Sequence, residues 1–267
     1  MPVDYHIHTK MCGHAVGELD EYVAAARQKG LREIGIADHI PMYFLPVGER
    51  DLSIAMKEEE LPVYVQRVEE VQKKFSPYLI KLGLEADYIP GKEKELAALL
   101  RKYDFDYILG SIHFLDEWGF DNPDQIAGYE KRDLDELYER YFKTLGRAAA
   151  SGLFDIMAHP DLIKKFGFRP DRDITGLYEQ AVKTIAQSGV CIEVNTAGLR
   201  VPAGEIYPQA GFLEICHSYQ VPVSLGSDAH RPELVGADFD KAVDLLKAIG
   251  YREIVTFSKR NKNFYPI

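Results

Sequence analysis

Cysteine is scarce in this chain. Cys12, Cys191 and Cys216 are the only three, and no two of them form a CxxC pair. Neither a disulfide framework nor a thiolate zinc site is indicated, and the pattern fits reduced thiols in a cytosolic protein. Long apolar runs are also missing. The longest, such as residues 190–194, are strand-sized and too short to cross a bilayer. The opening Met-Pro-Val-Asp-Tyr-His has no basic region leading into an apolar stretch, so no signal peptide is expected and the expected location is the cytoplasm. Basic residues fall short of acidic ones, 32 against 42, giving a formal net charge of −10. Such a surface repels nucleic acid, and neither a nucleic-acid nor a membrane partner is expected. A Gly-rich phosphate loop of the dinucleotide or P-loop kind is absent. Internal repeats and low-complexity segments are absent too.

What is present reads as an ordinary globular protein, 46% hydrophobic and 28% charged. A length of 267 residues suits one large catalytic domain spanning 1–267. Short apolar strands alternate with amphipathic helices. Strands are expected at 3–8, 33–38, 78–86, 107–112, 155–158, 190–195 and 221–227, with a last one at 253–257. Helices are expected at 19–29, 60–75, 92–102, 134–151, 174–188, 208–219 and 238–249, several of them stopped by glycine. Alternation of this kind builds βα units around a parallel sheet. Seven or eight units favour a closed α/β barrel over the runner-up, an open doubly wound sheet.

Mapping polar residues onto the strand ends gives the strongest signal. His6 and His8 close the first strand, and Asp38 and His39 the second. Glu85 and Asp87 close the third, His113 the fourth, His159 the fifth and Asn195 the sixth. Asp228 and His230 close the seventh. In barrels the C-terminal strand ends host the chemistry. Residues i and i+2 of a strand point to one side, so His6 and His8 can grip one ion, as can Asp228 and His230 if the chain stays extended there. His14 follows the first strand and can reach over the barrel mouth. His217 falls within a helix, away from any strand end, and reads as an ordinary histidine.

Imidazole and carboxylate donors suit zinc, iron or manganese better than magnesium. Seven imidazoles and two carboxylates exceed what one tetrahedral ion needs and suffice for two or three ions with a bridging carboxylate. Ions about 3.5–4 Å apart can share a hydroxide nucleophile and clamp a transferring phosphoryl group. Glu85 sits in an apolar strand, where an unpaired charge is costly. Asp4 and Asp38 are candidates to orient imidazoles. Cys12 lies close by, and a thiolate role for it is a lesser option.

These motifs resemble those of the polymerase and histidinol phosphatase (PHP) superfamily. The resemblance rests on His6-Ile-His8-Thr9 with Cys12-Gly13-His14, Ala37-Asp38-His39, Gly83-Leu84-Glu85 and Gly110-Ser111-Ile112-His113. It continues through Ala158-His159-Pro160-Asp161, Glu193-Val194-Asn195 and Gly226-Ser227-Asp228-Ala229-His230, in order along nearly the whole chain. It implies a distorted (β/α)7 TIM-like barrel and about three divalent ions. His6, His8, Glu85 and Asp228 would hold one. Glu85, His113 and His159 would hold a second. His14, His39 and His230 would hold a third.

The stretches around Cys12-Gly13-His14, Asn195-Thr196-Ala197-Gly198-Leu199-Arg200 and Asp228-Ala229-His230-Arg231-Pro232 look like the stand-alone histidinol-phosphate phosphatases. This implies hydrolysis of L-histidinol phosphate, a small phosphate monoester, to L-histidinol and phosphate late in histidine biosynthesis, with a metal-bridging hydroxide as nucleophile. Arg200 is the candidate phosphate grip, since a guanidinium offers two parallel donors; the plain alternative is a surface arginine. Lys164, Arg231 and Asn195 are further substrate candidates. Asp161 is a candidate to protonate the leaving group or to hold the substrate amine.

Competing readings are a PHP-type phosphodiesterase acting on nucleotides or nucleic-acid ends, a related metal-dependent amidohydrolase, and a metal-storage module. The sequence does not fix oligomeric state.

Overall fold

The computed structural model describes residues 3–267. The chain opens with β1 (Val3–Ile7), α1 (Leu19–Gln28), β2 (Glu33–Ile36), α2 (Leu61–Phe75), β3 (Leu79–Leu82) and β4 (Glu85–Asp87). Next come α3 (Glu93–Leu100), β5 (Leu109–Ser111), the short antiparallel pair β6 (Phe114–Leu115) and β7 (Trp118–Gly119), α4 (Leu134–Ala150) and β8 (Ile156–Met157). The rest is α5 (Thr175–Ser188), β9 (Cys191–Asn195), α6 (Ala210–Ser218), β10 (Val223–Gly226), α7 (Phe239–Ile249), β11 (Glu253–Ser258) and β12 (Asn261–Pro266).

The parallel strands form two arcs, β1-β2-β3 and β4-β5-β8-β9-β10. Short bridges join them. At one seam the Ile40 N–H donates to the Glu85 carbonyl at 2.8 Å and the Glu85 N–H to the Asp38 carbonyl at 3.0 Å. At the other, the His8 N–H donates to the Ala229 carbonyl at 2.9 Å and the Ala229 N–H to the His6 carbonyl at 3.1 Å. The circuit is therefore a distorted seven-position barrel, with β3 and β4 sharing one position. The single strand expected at 78–86 is thus two strands, broken at Gly83-Leu84. The expected last strand at 253–257 is present, but it pairs antiparallel with β12 rather than joining the parallel circuit.

Local sequence explains the surrounding elements. α4 buries Leu137, Tyr138, Tyr141, Phe142, Leu145, Ala148 and Ala149, a stripe at helical spacing. Its N-cap is Asp133, whose side chain accepts the Glu136 N–H at 3.0 Å. Gly189 ends α5 with φ of 72°, a left-handed turn that side chains resist. None of the helices among the described residues is long and apolar enough to cross a membrane.

Tyr107 fills the barrel floor. Its ring stacks on Tyr5 with centroids 4.6 Å apart, and its hydroxyl donates to the Tyr5 carbonyl at 2.7 Å. Gly35 and Gly83 make room for it: an added Cβ would lie 2.1 Å and 2.3 Å, respectively, from atoms of that ring. Tyr64 on α2 places its hydroxyl 2.9 Å from the Ile36 carbonyl and 2.8 Å from the Gly83 carbonyl, tying the helix to the break between β3 and β4. Gly83→Ala forces the enclosed Tyr107 to move. Thermal unfolding should show a loss of about 1–3 kcal/mol, the usual cost of overpacking a core.

Candidate metal centre

The short strands end on polar residues, and the barrel brings those residues together. Glu85, 1% exposed, stands in the middle. Its Oε2 lies 3.3 Å from His6 Nε2, 3.5 Å from His8 Nε2 and 2.9 Å from His39 Nδ1. Its Oε1 lies 2.9 Å from His159 Nε2 and 3.5 Å from His113 Nε2. Asp228 Oδ1 faces the first group, 3.1 Å from His8 Nε2 and 3.7 Å from His6 Nε2. His14, His39 and His230 form the third side. The His14 ring centroid lies 4.5 Å from that of His230 and 5.5 Å from that of His39.

Asp228 itself has φ of 53°, so the chain is not extended there. His230 reaches the centre through that turn and not through an i, i+2 strand spacing. His217 sits on α6 with its ring against Tyr251.

The electrostatics follow from burial. Burial alone would raise the Glu85 carboxyl, but the imidazoles of His39, His6 and His113 hold it well below the usual range. Asp228 is held low by His6, His8 and His230 against the same burial. Burial and the neighbouring His230 and His39 push His8 well down, which leaves it neutral and able to ligate. His230 falls to about 4, chiefly by burial. Burial pushes the Cys12 thiol up to about 12, so the free Cys12 thiol is neutral.

Whether this cluster fits divalent ions can be tested on its unpaired atoms. His6 Nε2, both ring nitrogens of His8, Glu85 Oε2 and His230 Nε2 are buried without a hydrogen-bond partner. Orphaned buried donors and acceptors are expensive, and His6 Nε2 and His8 Nε2 both face Glu85 Oε2. Triads such as His6, His8 and Glu85, or His8, His39 and His230, offer ligand atoms all within 4.8 Å of one another. Nitrogen and oxygen donors at that spacing are what zinc, iron or manganese take.

The supporting residues differ in part from expectation. Asp38 accepts from the backbone N–H of Thr9 at 2.6 Å and from its hydroxyl, and its Oδ1 lies 3.8 Å from His8 Nδ1, beyond hydrogen-bonding range. Asp4 orients no imidazole. It accepts from the backbone N–H groups of His6, Ser227 and Gly236 and from the Ser227 hydroxyl, and so holds the turn that carries Asp228. The orienting carboxylates are two others. Asp87 Oδ1 sits 2.9 Å from His113 Nδ1, and Glu193 Oε1 sits 2.7 Å from His6 Nδ1. Sequence reasoning gave neither a role. The signal for Glu193 was a lone charge in the apolar run 190–194.

A cavity of about 270 Å³ opens over the cluster. Arg200 lines it, its guanidinium donating to the Thr196 and Ser227 carbonyls. Lys165, Asp121 and Tyr207 line it too, unforeseen from sequence. Lys164 does not. It is 1% exposed, with its ammonium 2.8 Å from Asp161 Oδ2, 3.1 Å from Glu205 Oε1 and 3.2 Å from the Ile206 carbonyl. Asp161 is equally buried, accepting from Lys164 and from the Gln209 N–H, and its carboxyl is pushed up to about 6 by burial. It does not line the cavity over the cluster. Asn195 spends its amide on the Glu193 carboxylate and the Ala197 N–H and does not line the cavity. Arg231 is exposed and outside the cavity lining.

The family model described as "PHP domain" matches residues 4–197. The chain belongs to the PHP domain family. A Deinococcus radiodurans protein named "probable histidinol-phosphatase" is 42% identical to this PHP chain over 96% of both. The Bacillus subtilis protein named histidinol-phosphatase is 28% identical over 89% of this chain and 96% of its own length. A solved structure of histidinol phosphate phosphatase from Lactococcus lactis subsp. lactis, complexed with Zn, L-histidinol and phosphate, superposes on this PHP chain with a TM-score of 0.83 at 22% identity, covering 98% of each chain. That likeness places the barrel described above in the histidinol-phosphatase fold. In this chain the cluster itself offers groups of histidine and carboxylate donors that suit a divalent metal.

Lysine positions separate structure from recognition. Lys164→Met leaves the buried Asp161 without its cation and should cost about 3–5 kcal/mol in thermal unfolding with KM unchanged. Arg200→Lys should do the reverse, keeping the melting temperature and raising KM at least about tenfold.

Proposed function

We propose that the chain is a metal-dependent phosphomonoesterase that hydrolyses L-histidinol phosphate to L-histidinol and inorganic phosphate. The observation that carries this is the Glu85-centred cluster at the mouth of a PHP barrel whose 42%-identical relative is named for that activity. About three divalent ions, of zinc, iron or manganese, would be held in this reading. His6, His8, Glu85 and Asp228 would hold one; Glu85, His113 and His159 a second; His14, His39 and His230 a third. Such ions, when bound, polarise phosphate oxygens and make water nucleophilic at neutral pH.

The chain's own residues do the rest. Glu85 faces two ligand groups with its two oxygens and so serves as the bridge between them. Arg200 stands at the cavity edge, held by two backbone carbonyls with donors to spare for a phosphate oxygen. Lys165 is held near the cluster by Asp121, 3.2 Å away, and adds a second cation to the same wall. The cavity suits a small monoester better than a nucleic-acid strand, which would need a long basic channel with stacking aromatics.

The test is phosphate release by metal-replete protein from L-histidinol phosphate, an aryl phosphate and a dinucleotide side by side. Clear preference for L-histidinol phosphate is expected, and Glu85→Ala should lose bound metal and turnover together. Cleavage of the dinucleotide alone, or full activity in Glu85→Ala, rejects the reading.

A further inference from the structure

The Glu193-Val194-Asn195 stretch has no part in the chemistry proposed above, yet Glu193 is as buried as any ligand, 1% exposed in a strand whose five residues are all enclosed. Its carboxylate is fully engaged. Oε1 lies 2.7 Å from His6 Nδ1, while Oε2 accepts from the His159 N–H at 2.7 Å and from the Asn195 amide at 3.0 Å. Its side chain cannot swing aside toward β10. A Cβ added at Gly226 would fall 1.8 Å from Glu193 Oε1 and 2.7 Å from His6 Cβ, so glycine there leaves just enough space for the pair.

We propose that Glu193 is the positioning residue that fixes which ring nitrogen of His6 carries the proton, and that the ion ligated by His6 is held through this lock. This rests on the metal-centre reading above. A carboxylate only accepts, so His6 Nδ1 carries the hydrogen and Nε2 keeps a free lone pair. That Nε2 is the atom without a hydrogen-bond partner, 3.3 Å from Glu85 Oε2 and 3.7 Å from Asp228 Oδ1. The same carboxylate pins the backbone of His159, which has φ of 26°, so one side chain aligns ligands on both sides of Glu85.

Glutamine at this position has the same shape and the opposite effect. Two donors, the His159 N–H and the Asn195 amide, already claim one end of the side chain, so the glutamine oxygen must take that end. Asn195 cannot turn its amide to compensate, because its Oδ1 accepts the Ala197 N–H at 2.8 Å. The glutamine NH2 then faces His6 Nδ1, which must become the acceptor. The ring proton moves to Nε2, and a protonated Nε2 cannot ligate.

The experiment titrates the full chain with zinc against a chromophoric chelator, comparing wild type, Glu193→Gln, His6→Ala and the double variant. It also records long-range 15N–1H spectra of zinc-loaded, histidine-labelled protein. Glu193→Gln should weaken zinc binding by about 10–100-fold while the metal-free melting temperature holds. It should also switch one imidazole from Nδ1–H to Nε2–H, and add nothing to the loss caused by His6→Ala. Wild-type affinity in Glu193→Gln, or losses additive with His6→Ala, overturns the inference. So does a wild-type spectrum with the His6 proton on Nε2, whether or not the variant folds. A wild-type chain that takes up no zinc overturns the metal-centre reading itself, and with it this one.

Discussion

Glu85 brings a carboxylate to the point where ring nitrogens of His6, His8, His39, His113 and His159 all lie within 3.5 Å of it. Removing such a charge from water costs about several kcal/mol, and only opposite charge or ligation offsets that. The rest of the architecture serves this placement. Gly83 breaks the third barrel position, and the carboxylate begins the new strand. Tyr107 fills the floor beneath it, and Tyr64 ties α2 to the break. The imidazoles come from several strand ends, so the cluster exists only when the whole circuit is assembled.

Around that centre the carboxylates divide by what they accept. Asp87 and Glu193 accept from ring nitrogens and fix imidazoles. Asp4 accepts mainly backbone N–H groups and fixes a turn. Asp161 takes the buried ammonium of Lys164 and anchors the segment after β8. All four are largely enclosed, and their partners alone decide whether each shapes ligation, backbone or packing.

Much of this was legible in the sequence because barrel geometry turns strand-end position into spatial convergence. The helices and parallel strands lie close to where periodicity put them, and the nine proposed ligands meet at one mouth. What escaped depends on details that spacing does not encode. The break at Gly83 accommodates the Tyr107 ring, whose residue is remote along the chain. Lys164 and Lys165 are adjacent and chemically alike. The turn after His159 sends one into the interior and the other to the cavity, and no composition rule separates them. The αL turn at Asp228 replaced an extended stretch while delivering His230 to the same place. Glu193 was visible as a buried charge, but its partner lies 187 positions away along the chain.

Both seams of the barrel run through ligand-bearing segments. One joins His39 to Glu85; the other pairs Ile7, between His6 and His8, with Ala229, between Asp228 and His230. Elsewhere the strands are stitched by ladders, whereas here single bridges do the joining. Ions gripped by residues on both flanks of a seam would act as rivets across joints where the hydrogen-bonded wall is thin. Metal site and hoop closure would then be one object, and a chain stripped of such ions would loosen as a container before it loosened as a core.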